Sequence, residues 1–230
     1  MICKSSINTS NGIGFKHMNR HPELNHVDAL DDIVIGSSSI PNAGRGLFCT
    51  HDIKHGDLFC HDVAIAPSTR DMECFAAWEA ELKGNNPCDD VFPLLIALMS
   101  RGITSETWFS QMHAAPVYAG DGGPSFNPTE IGMLCKLEES HGESGAPLAH
   151  QVYAIAKSYY LSFHGASPFI SQFICIANHS DEPNARVFMP PQSRLNQARG
   201  LLSVSFLATV DIQSGAEITI DYGDAKYLLI

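Results

Sequence analysis

The chain has 230 residues, 44% of them hydrophobic and 17% charged, which is the balance of a globular protein that can bury a sizeable core. Its formal net charge of −11 argues against broad binding to a phosphate backbone, which requires a basic surface, so no direct nucleic acid binding is expected. The same charge suits a basic partner, although many proteins are acidic simply because charge keeps them in solution.

The composition also disfavours membrane-spanning and secreted proteins. No apolar run approaches the ~20 residues of a membrane span, and the beginning of the chain, "MICKSSINTSNGIGFKH", lacks the continuous apolar segment of a secretory signal. The seven cysteines are odd in number and form no CxxC pair, which favours reduced thiols over a disulfide framework. We therefore expect an intracellular protein, in the nucleus or the cytoplasm, with no membrane partner.

The beginning of the chain predicts an arm followed by strands. Residues 1–32 are polar and mixed, which is typical of a flexible N-terminal arm, and residues 33–230 are expected to form one domain. The stretch "DDIVIGSSSI" predicts a strand, and "PNAGRGLF" predicts a turn in which Gly44 and Gly46 let the backbone bend or be approached closely. The stretch "HDIKHGDLFCHDVAIAP" predicts a loop and then a strand that stops at its proline.

The middle of the chain predicts a helical insert over about residues 68–172. Apolar residues recur three to four apart in "DMECFAAWEAELKG", and "DDVFPLLIALMSRG" offers Asp89 as an N-cap and a glycine as a stop. The "NPTE" at 127–130 predicts a helix start with an Asn cap, Pro at the first position and Glu at the third. Two further helices are predicted in "SETWFSQMH" and "PLAHQVYAIAKSYYLSF".

The last third of the chain predicts strands again. "ARVFMPP" and "LLSVSFLATV" have strand character, "QSRLNQARG" between them predicts a polar loop, and "DIQSGAEITIDYG" predicts a turn and a strand. Strands, a helical insert and further strands together indicate an α+β protein.

Three short stretches carry the functional signal, and each alone is commonly a turn, a core pair or a strand end. They are Gly44-Arg45-Gly46-Leu47-Phe48, then Asn178-His179-Ser180 followed by Pro183-Asn184, then Glu217-Ile218-Thr219-Ile220-Asp221-Tyr222-Gly223. In this order they resemble the SET-domain protein lysine methyltransferases. "FLATVDIQSGAEITIDYG" matches that family's A-x-x-D-I-x-x-G-E-E-I-T-x-D-Y-G almost throughout, with Ala216 in place of one Glu.

The resemblance implies a SET fold of small curved β-sheets with a C-terminal pseudoknot, which brings the Asn-His pair beside the C-terminal tyrosine. It implies S-adenosylmethionine as the cofactor and methyl transfer to a lysine side-chain amine of a protein substrate with a basic segment, histone or non-histone. Tyr222 takes the catalytic role, and we expect it to orient and stabilise rather than to act as a strong base, because its reference pKa is about 10. The residues implied for cofactor binding are Gly44, Arg45, Gly46, Asn178, His179 and, as a cover, Tyr227. The resemblance assigns the backbone groups of His179 to the adenine and its ring to the local fold.

Two of these assignments have equally open alternatives. Arg45 is also consistent with a solvent-exposed residue of a turn. Asp221 is implied to hold the pseudoknot, but it is also consistent with an ordinary carboxylate at the end of a strand.

The chain departs from many SET enzymes at residue 181. Those enzymes carry a Cys directly after Asn-His-Ser, which joins a Cys-rich C-terminal segment to bind zinc, whereas this chain has Asp181 and no Cys after Tyr222. We therefore expect no zinc site of that type and no other metal site. A second group could in principle bind zinc, but its spacing is irregular and strand alternation would separate two of its members. This group is Cys49, His51, His55, Cys60 and His61.

The chain also departs from many SET enzymes in the wall of the channel through which the target lysine enters, and in its helical insert. "FCHDV" at 59–63 lacks the Tyr-x-Gly-Glu of many family members, and the aromatics that could replace it, or belong to the core, are Tyr118, Tyr153, Tyr159 and Tyr160. The insert stretch "PLLIALMSRGITSETWFSQMHAAP" resembles the plant Rubisco methyltransferase group, without that group's C-terminal substrate-binding domain. Two alternatives stay open: an inactive SET-fold module that binds a basic peptide, and methyl transfer to a non-protein amine or another side chain.

Overall fold

The computed structural model describes residues 32–82, 88–112, 126–141, 149–162, 167–191 and 194–223. Within them lie the strands β1 (Ile33–Ser37), β2 (Arg45–Cys49), β3 (Leu58–Ile65), β4 (Asn178–His179), β5 (Ala185–Phe188), β6 (Leu201–Ala208) and β7 (Glu217–Ile220). The helices are α1 (Thr69–Leu82), α2 (Phe92–Ser100), α3 (Thr107–Ser110), α4 (Pro128–His141), α5 (Ala149–Tyr159) and α6 (Arg194–Arg199). The N-terminal arm falls almost wholly outside these ranges, and the division at residue 32 stays a prediction.

The strands form two small sheets. The first has four strands in the order β1-β2-β7-β4, and the second has three in the order β3-β6-β5. All pairs are antiparallel except β4 and β7, which run parallel. Strands from both ends of the chain thus share the first sheet while the helices lie between them in sequence, so the predicted α+β order is confirmed.

The C-terminal strand lies between an early strand and the Asn-His strand. Leu47 of β2 pairs with Ile218 of β7, and His179 of β4 pairs with Ile220 on the other side of β7. The chain that leaves β7 therefore passes directly beside the Asn-His pair. This is the neighbourhood of the Asn-His pair and the C-terminal segment that the SET resemblance implied.

The helical insert packs around α2, whose sequence is apolar nearly throughout. Residues 92–99 of this helix are all buried, so α2 serves as the central helix of the insert. The predicted cap at Asp89 is wrong, because the N-cap residue is Val91 and has no side-chain capping bond. Asp89 instead accepts a hydrogen bond from the N–H of Val91 at 3.1 Å and binds α5 through Lys157 at 2.7 Å.

The predicted start of α4 is confirmed in detail. The Oδ1 of Asn127 accepts hydrogen bonds from the backbone N–H groups of Thr129 and Glu130 at 2.9 and 3.0 Å. The Oε2 of Glu130 accepts in return from the N–H of Asn127 at 2.9 Å. Each side chain thus satisfies a backbone donor that the first helical turn leaves unpaired.

The stretch predicted as a polar loop contains a helix. Residues 194–199 form α6, and Gly200 follows at φ +66°, the left-handed conformation that commonly ends a helix. The segment is too short and too polar for its periodicity to be visible in the sequence, and its contacts with β6 and α1 come from the tertiary fold. None of the described helices is long and apolar enough to cross a membrane.

A buried ion pair joins the insert to the strands. Arg101, just after α2, lies 2.6 Å from Asp71 of α1, and its guanidinium also donates to the carbonyl of Ala66 at 2.9 Å. The side chains of Arg101 and Asp71 are 18% and 8% exposed, so water screens the pair little. The pair therefore holds the insert at a set position against the end of β3.

Candidate functional site

The first sheet brings all three sequence motifs together. The Gly-Arg-Gly stretch enters β2, the Asn-His pair forms β4, and the C-terminal motif begins in β7, which lies between them. Asn178 pairs with Thr219, and Phe48 pairs with Glu217. Residues more than a hundred positions apart in the sequence therefore line one small region.

A hydrogen-bonded cluster ties the three strands to one another. The Nδ2 of Asn178 donates to the Oε1 of Glu217 and to the carbonyl of Arg45, both at 2.8 Å. Glu217 also accepts from the hydroxyls of Ser38 at 2.6 Å and Ser39 at 2.7 Å. Glu217 was named in its motif but not among the candidate site residues, although the Glu that precedes Ile-Thr in the family pattern was a signal for it.

Gly46 has a packing reason to be glycine. A Cβ at this position would clash with the carboxylate of Glu217 and lie 3.1 Å from the Nδ2 of Asn178. The close approach predicted for Gly46 is therefore made by side chains of the protein itself. Gly44 differs, because its φ of +73° favours glycine and nothing lies within 4 Å of the place of its Cβ.

Arg45 has an unmatched hydrogen-bond donor. It lies in β2 and is partly buried, so it is not an exposed turn residue. Its Nη2 is buried and has no hydrogen-bond partner among the described residues. A buried charged donor without a partner is costly, and an anionic group would remove that cost.

Asn178 has an unmatched acceptor in the same strand cluster. Its Nδ2 is bound within the protein, as described above, whereas its Oδ1 has no hydrogen bond to any of the described residues. The structure thus leaves the acceptor end of the amide for a ligand, but not the donor end. A free guanidinium and a free amide oxygen fit the carboxylate and the ammonium of the amino-acid end of S-adenosylmethionine.

His179 presents its backbone and its ring to different partners. The N–H of Ser180 donates to Ile220 of β7 at 3.0 Å. Backbone groups alternate sides along a strand, so the N–H and C=O of His179 point away from β7. Because β4 is the edge strand of this sheet, they face no other described strand. These groups are the ones that the resemblance assigned to the adenine.

The ring of His179 contacts the chain segment that follows β7. Its Nδ1 accepts a hydrogen bond from the backbone N–H of Tyr222 at 3.2 Å, and the two rings pack with centroids 5.3 Å apart. The Nε2 then carries the proton and faces the Oδ1 of Asp181 at 3.3 Å. Asp181 is fully exposed, so this contact orients the ring more than it stabilises the fold.

The hydroxyl of Tyr222 is bound by the residue that directly precedes the Asn-His pair. It donates to the carbonyl of Ala177 at 3.0 Å, while the residue as a whole is 48% exposed. Burial of the hydroxyl end, with smaller contributions from Cys175 and Tyr159, raises the pKa of Tyr222 above its ordinary 10. Burial likewise raises the pKa of the Cys175 thiol to about 12. Tyr222 is therefore a neutral phenol at pH 7 whose oxygen can accept a further hydrogen bond.

The aromatic residues proposed for the channel wall fall in different places. Tyr153 is buried in the insert and donates to Asp89 at 2.9 Å, so it belongs to the core. Tyr160 lies under the ammonium of Lys157, 5.0 Å from the ring centroid. Tyr159 lies close enough to Tyr222 for its charge, when deprotonated, to raise the pKa of Tyr222. Tyr118 and the predicted cover Tyr227 lie outside the described residues.

Cys60 and His61, which belong to the group that the sequence analysis argued against as a zinc site, lie in different surroundings. Cys60 is fully buried, whereas the neighbouring His61 is exposed and its Nδ1 lies 2.7 Å from the hydroxyl of Ser205. In the parts of the chain that the structure describes, no three His, Cys, Asp or Glu side chains are placed to hold a metal ion.

Comparisons with known proteins agree with this geometry. The model of the SET domain family matches residues 44–223, which is most of the chain. No curated protein matches the sequence. Among solved structures, the SET domain of LSMT bound to lysine and AdoHcy is similar at 13% identity and a TM-score of 0.52, covering 84% of this chain and 50% of that chain.

Two larger assemblies are more distant. ctPRC2 in an autoinhibited conformation bound to S-adenosylmethionine matches at 13% identity and a TM-score of 0.37, covering 86% of this chain and 16% of that chain. Chaetomium thermophilum Polycomb Repressive Complex 2 bound to GSK126 matches at 14% identity and the same TM-score, covering 85% and 16%.

The likeness to the LSMT structure is one of fold. This chain spans half the length of the LSMT chain. The family match extends from the Gly-Arg-Gly stretch to the last described residue and includes all three motifs of the first sheet. The chain belongs to the SET domain family.

Proposed function

We propose that the protein transfers the methyl group of S-adenosylmethionine to the side-chain amine of a lysine in a protein substrate with a basic segment, histone or non-histone. The observation that carries this proposal is the hydroxyl of Tyr222, held by the carbonyl of Ala177 directly behind the Asn-His pair. Membership of the SET family supports it. So does the LSMT structure, whose SET domain is bound to lysine and AdoHcy.

The cofactor is assigned to the side of the first sheet where the unmatched groups lie. The Nη2 of Arg45 would bind the carboxylate of its amino-acid end, and the Oδ1 of Asn178 would accept from its ammonium. The outward backbone groups of His179 would bind the adenine. Gly44 has open space around it for a ligand.

The target amine must be neutral to react. A lysine of pKa about 10.4 is deprotonated only about 0.04% of the time at pH 7, which costs about 4–5 kcal/mol. Desolvation and the sulfonium charge of the bound cofactor both lower that pKa. The amine loses its proton to water, its nitrogen then bonds to the methyl carbon, and the carbon–sulfur bond breaks to leave a thioether.

Tyr222 acts on the amine by orientation. Its proton is engaged by Ala177, so the lone pairs of its oxygen face outward and can accept from an N–H of the incoming amine. The raised pKa of Tyr222 keeps the phenol neutral, which argues against a tyrosinate base. Orientation of the amine toward the methyl carbon is therefore the contribution that the geometry supports.

The test is a methyl-transfer assay with labelled cofactor, basic protein substrates and mass spectrometry of the product. Tyr222→Phe is expected to lower kcat at least about 100-fold, since correct orientation of an attacking group is worth several kcal/mol. Tyr160→Phe, an aromatic of the insert, is the matched control. Wild-type turnover by Tyr222→Phe would rule out the catalytic assignment.

The same experiment separates the alternatives. Methylation of a small amine or of a side chain other than lysine would replace the substrate assignment. An inactive peptide-binding module predicts no saturable binding of S-adenosylmethionine in calorimetry. An intact cofactor site predicts binding that Asn178→Ala weakens.

A further inference from the structure

A β-bulge in β3 turns an acidic side chain toward the interior. Phe59 of β3 pairs with Phe206 of β6, but Asp62 pairs with Val204, so Cys60 and His61 together oppose Ser205. Cys60 takes a φ of +49°, which a side chain other than glycine rarely adopts. Without the extra residue, His61 would occupy the position opposite Val204. Bulges often serve to re-aim a side chain beside a functional site.

His61, in the bulge, and Asp62, directly after it, bind different partners. His61 is exposed and its Nδ1 lies 2.7 Å from the hydroxyl of Ser205, and these two residues and Asp62 all line an apolar cavity of about 470 Å³. The carboxylate of Asp62 faces inward, where its Oδ2 accepts from the backbone N–H of Phe173 at 2.9 Å and, less closely, from that of Ile174 at 3.5 Å. The inserted residue therefore turns a partly buried carboxylate toward the backbone of residues 173 and 174.

Asp62 caps a short helical turn that has no cap of its own. Ile174–Ile176 is a 3-10 turn whose N-cap residue, Phe173, has no side chain that can accept a hydrogen bond. The first N–H groups of such a turn have no partner within it. Asp62, more than a hundred residues earlier in the chain, supplies that partner from β3.

The capped turn leads directly to the tyrosine. Its bonds run from the N–H of Ile176 to Phe173 at 2.8 Å and from the N–H of Ala177 to Ile174 at 3.3 Å. The turn thus ends at Ala177, whose carbonyl accepts the hydroxyl of Tyr222 at 3.0 Å. One continuous set of contacts therefore joins the Asp62 carboxylate to the Tyr222 hydroxyl.

We propose that Asp62 is a positioning residue for methyl transfer, which fixes the Ala177 carbonyl through the capped turn and thereby orients the Tyr222 hydroxyl toward the reacting amine. This inference rests on the proposed function for its catalytic part. The bulge supports it, because the chain keeps both an unfavourable φ at Cys60 and a partly buried carboxylate to place Asp62 there. Asn178 follows Ala177 directly, but its side chain is held by Nδ2 bonds to Ser38, Arg45 and Glu217, which lie outside the turn.

The first readout is kinetic. Asp62→Ala is expected to lower kcat about 10- to 100-fold, since displacement of an orienting group by about 1 Å has an effect of that size. The dissociation constant for S-adenosylmethionine is expected to stay within about twofold, because the groups assigned to it are held elsewhere. Asp62→Asn keeps one acceptor for Phe173 and is expected to fall between wild type and Asp62→Ala.

The second readout needs no activity. The ultraviolet titration of Tyr222, obtained by subtracting the curve of the Tyr222→Phe protein, reports the environment of its hydroxyl. Asp62→Ala is expected to move that titration down toward pH 10, because a loosened turn admits water and weakens the bond to Ala177. The matched control is His61→Ala, which alters the same bulge on its outer face and is expected to change neither readout.

The outcomes separate the two proposals. A selective loss of kcat together with the lower titration supports the role of Asp62. Wild-type kcat and titration in Asp62→Ala overturn it, and so does a loss of cofactor affinity in the same proportion as kcat. If Asp62→Ala does not fold, Asp62→Asn and Asp62→Ser decide by the same two readouts. If wild-type protein transfers no methyl group, the proposed function fails, whereas the titration still decides whether Asp62 controls Tyr222.

Discussion

In the helical insert the charged groups Asp71, Arg101, Asp89 and Lys157 bind one another, whereas in the four-stranded sheet one buried donor has no partner among the described residues. Asp71 is bound by Arg101, and Asp89 is bound by Lys157. Every one of these groups has an oppositely charged partner inside the protein. In the sheet, the Nη2 of Arg45 is buried without a partner.

The difference indicates what each region is built for. A closed network lowers the free energy of the folded state by itself, because each desolvated group recovers a hydrogen bond. An unmatched buried donor raises that free energy until a ligand binds it. Substitution of a residue in a closed network should therefore affect stability, and substitution of an unmatched group should affect ligand binding; five substitutions test this contrast.

The largest effect is expected from Arg101→Met in the insert. The substitution leaves the carboxylate of Asp71 buried without its cation, which typically destabilises a protein by about 3–5 kcal/mol. Urea denaturation measures the loss. The matched control is Lys54→Met, which breaks an exposed pair with Asp211 and is expected to leave the unfolding free energy unchanged. Equal losses in the two variants would contradict the assignment of a buried network.

Arg45→Met should behave in the opposite way. Removal of an unmatched buried donor is expected to leave the stability of the cofactor-free protein unchanged or to raise it by about 1–3 kcal/mol. The dissociation constant for S-adenosylmethionine should rise about 10- to 100-fold, since a hydrogen bond between charged groups contributes about 1.5–3 kcal/mol. Thermal melts and calorimetry measure the two effects. A destabilised protein with unchanged affinity would place Arg45 with the closed networks.

Gly46→Ala should disturb the cluster between the strands. The added Cβ displaces the carboxylate of Glu217 and with it the bond to Asn178, so we expect a loss of about 1–3 kcal/mol in stability and weaker cofactor binding. Gly44→Ala is the comparison, because it meets only the strain of a positive φ, about 1 kcal/mol. A smaller loss of stability in Gly46→Ala than in Gly44→Ala would show that the Glu217 carboxylate can move aside at little cost in free energy.

The smallest effect is a pH dependence at Glu217. Burial raises the pKa of this carboxylate, but hydrogen bonds from Ser38, Asn178 and Ser39 outweigh it and hold the pKa below its ordinary 4.5. A pKa that is lower in the folded state contributes stability above the unfolded value, and the contribution is lost as pH falls through the folded value. Glu217→Gln should therefore be less stable than wild type at pH 7, by an amount that shrinks below about pH 4.5.

Asp89→Asn gives the counterpart in the insert. The pKa of Asp89 is also lowered, because the bond from Lys157 and others outweigh its burial. We expect a larger loss at neutral pH than for Glu217→Gln, since Lys157 would be left without its partner. Denaturation curves recorded as a function of pH decide the order. A loss at Glu217 that does not vary with pH would show that its charge is not what the hydrogen bonds stabilise.

The local features and the motif residues could be predicted from the sequence. The capping box at Asn127 and Glu130 was readable because its partners lie three residues apart, so the chain itself brings them together. Tyr222 and Asn178 were found through a resemblance whose motifs stand in order along the chain, and the structure places them on one sheet. Their roles stay predictions until the variants are measured.

The tertiary structure alone decided which groups meet and which stay unmatched. Glu217 meets Gly46 and Asn178 because the register of β7 against β2 and β4 puts them side by side, and register is not a local property of the sequence. Asp62 faces the core because one extra residue in β3 reverses the alternation that its position would otherwise predict. The sequence by itself determined the motifs and most of the elements, since these depend on neighbours within a few residues, whereas the short polar helix α6 became visible only in the fold. Hydrogen bonds across more than a hundred residues depend on the packed fold, and only that fold left Arg45 with a donor to offer.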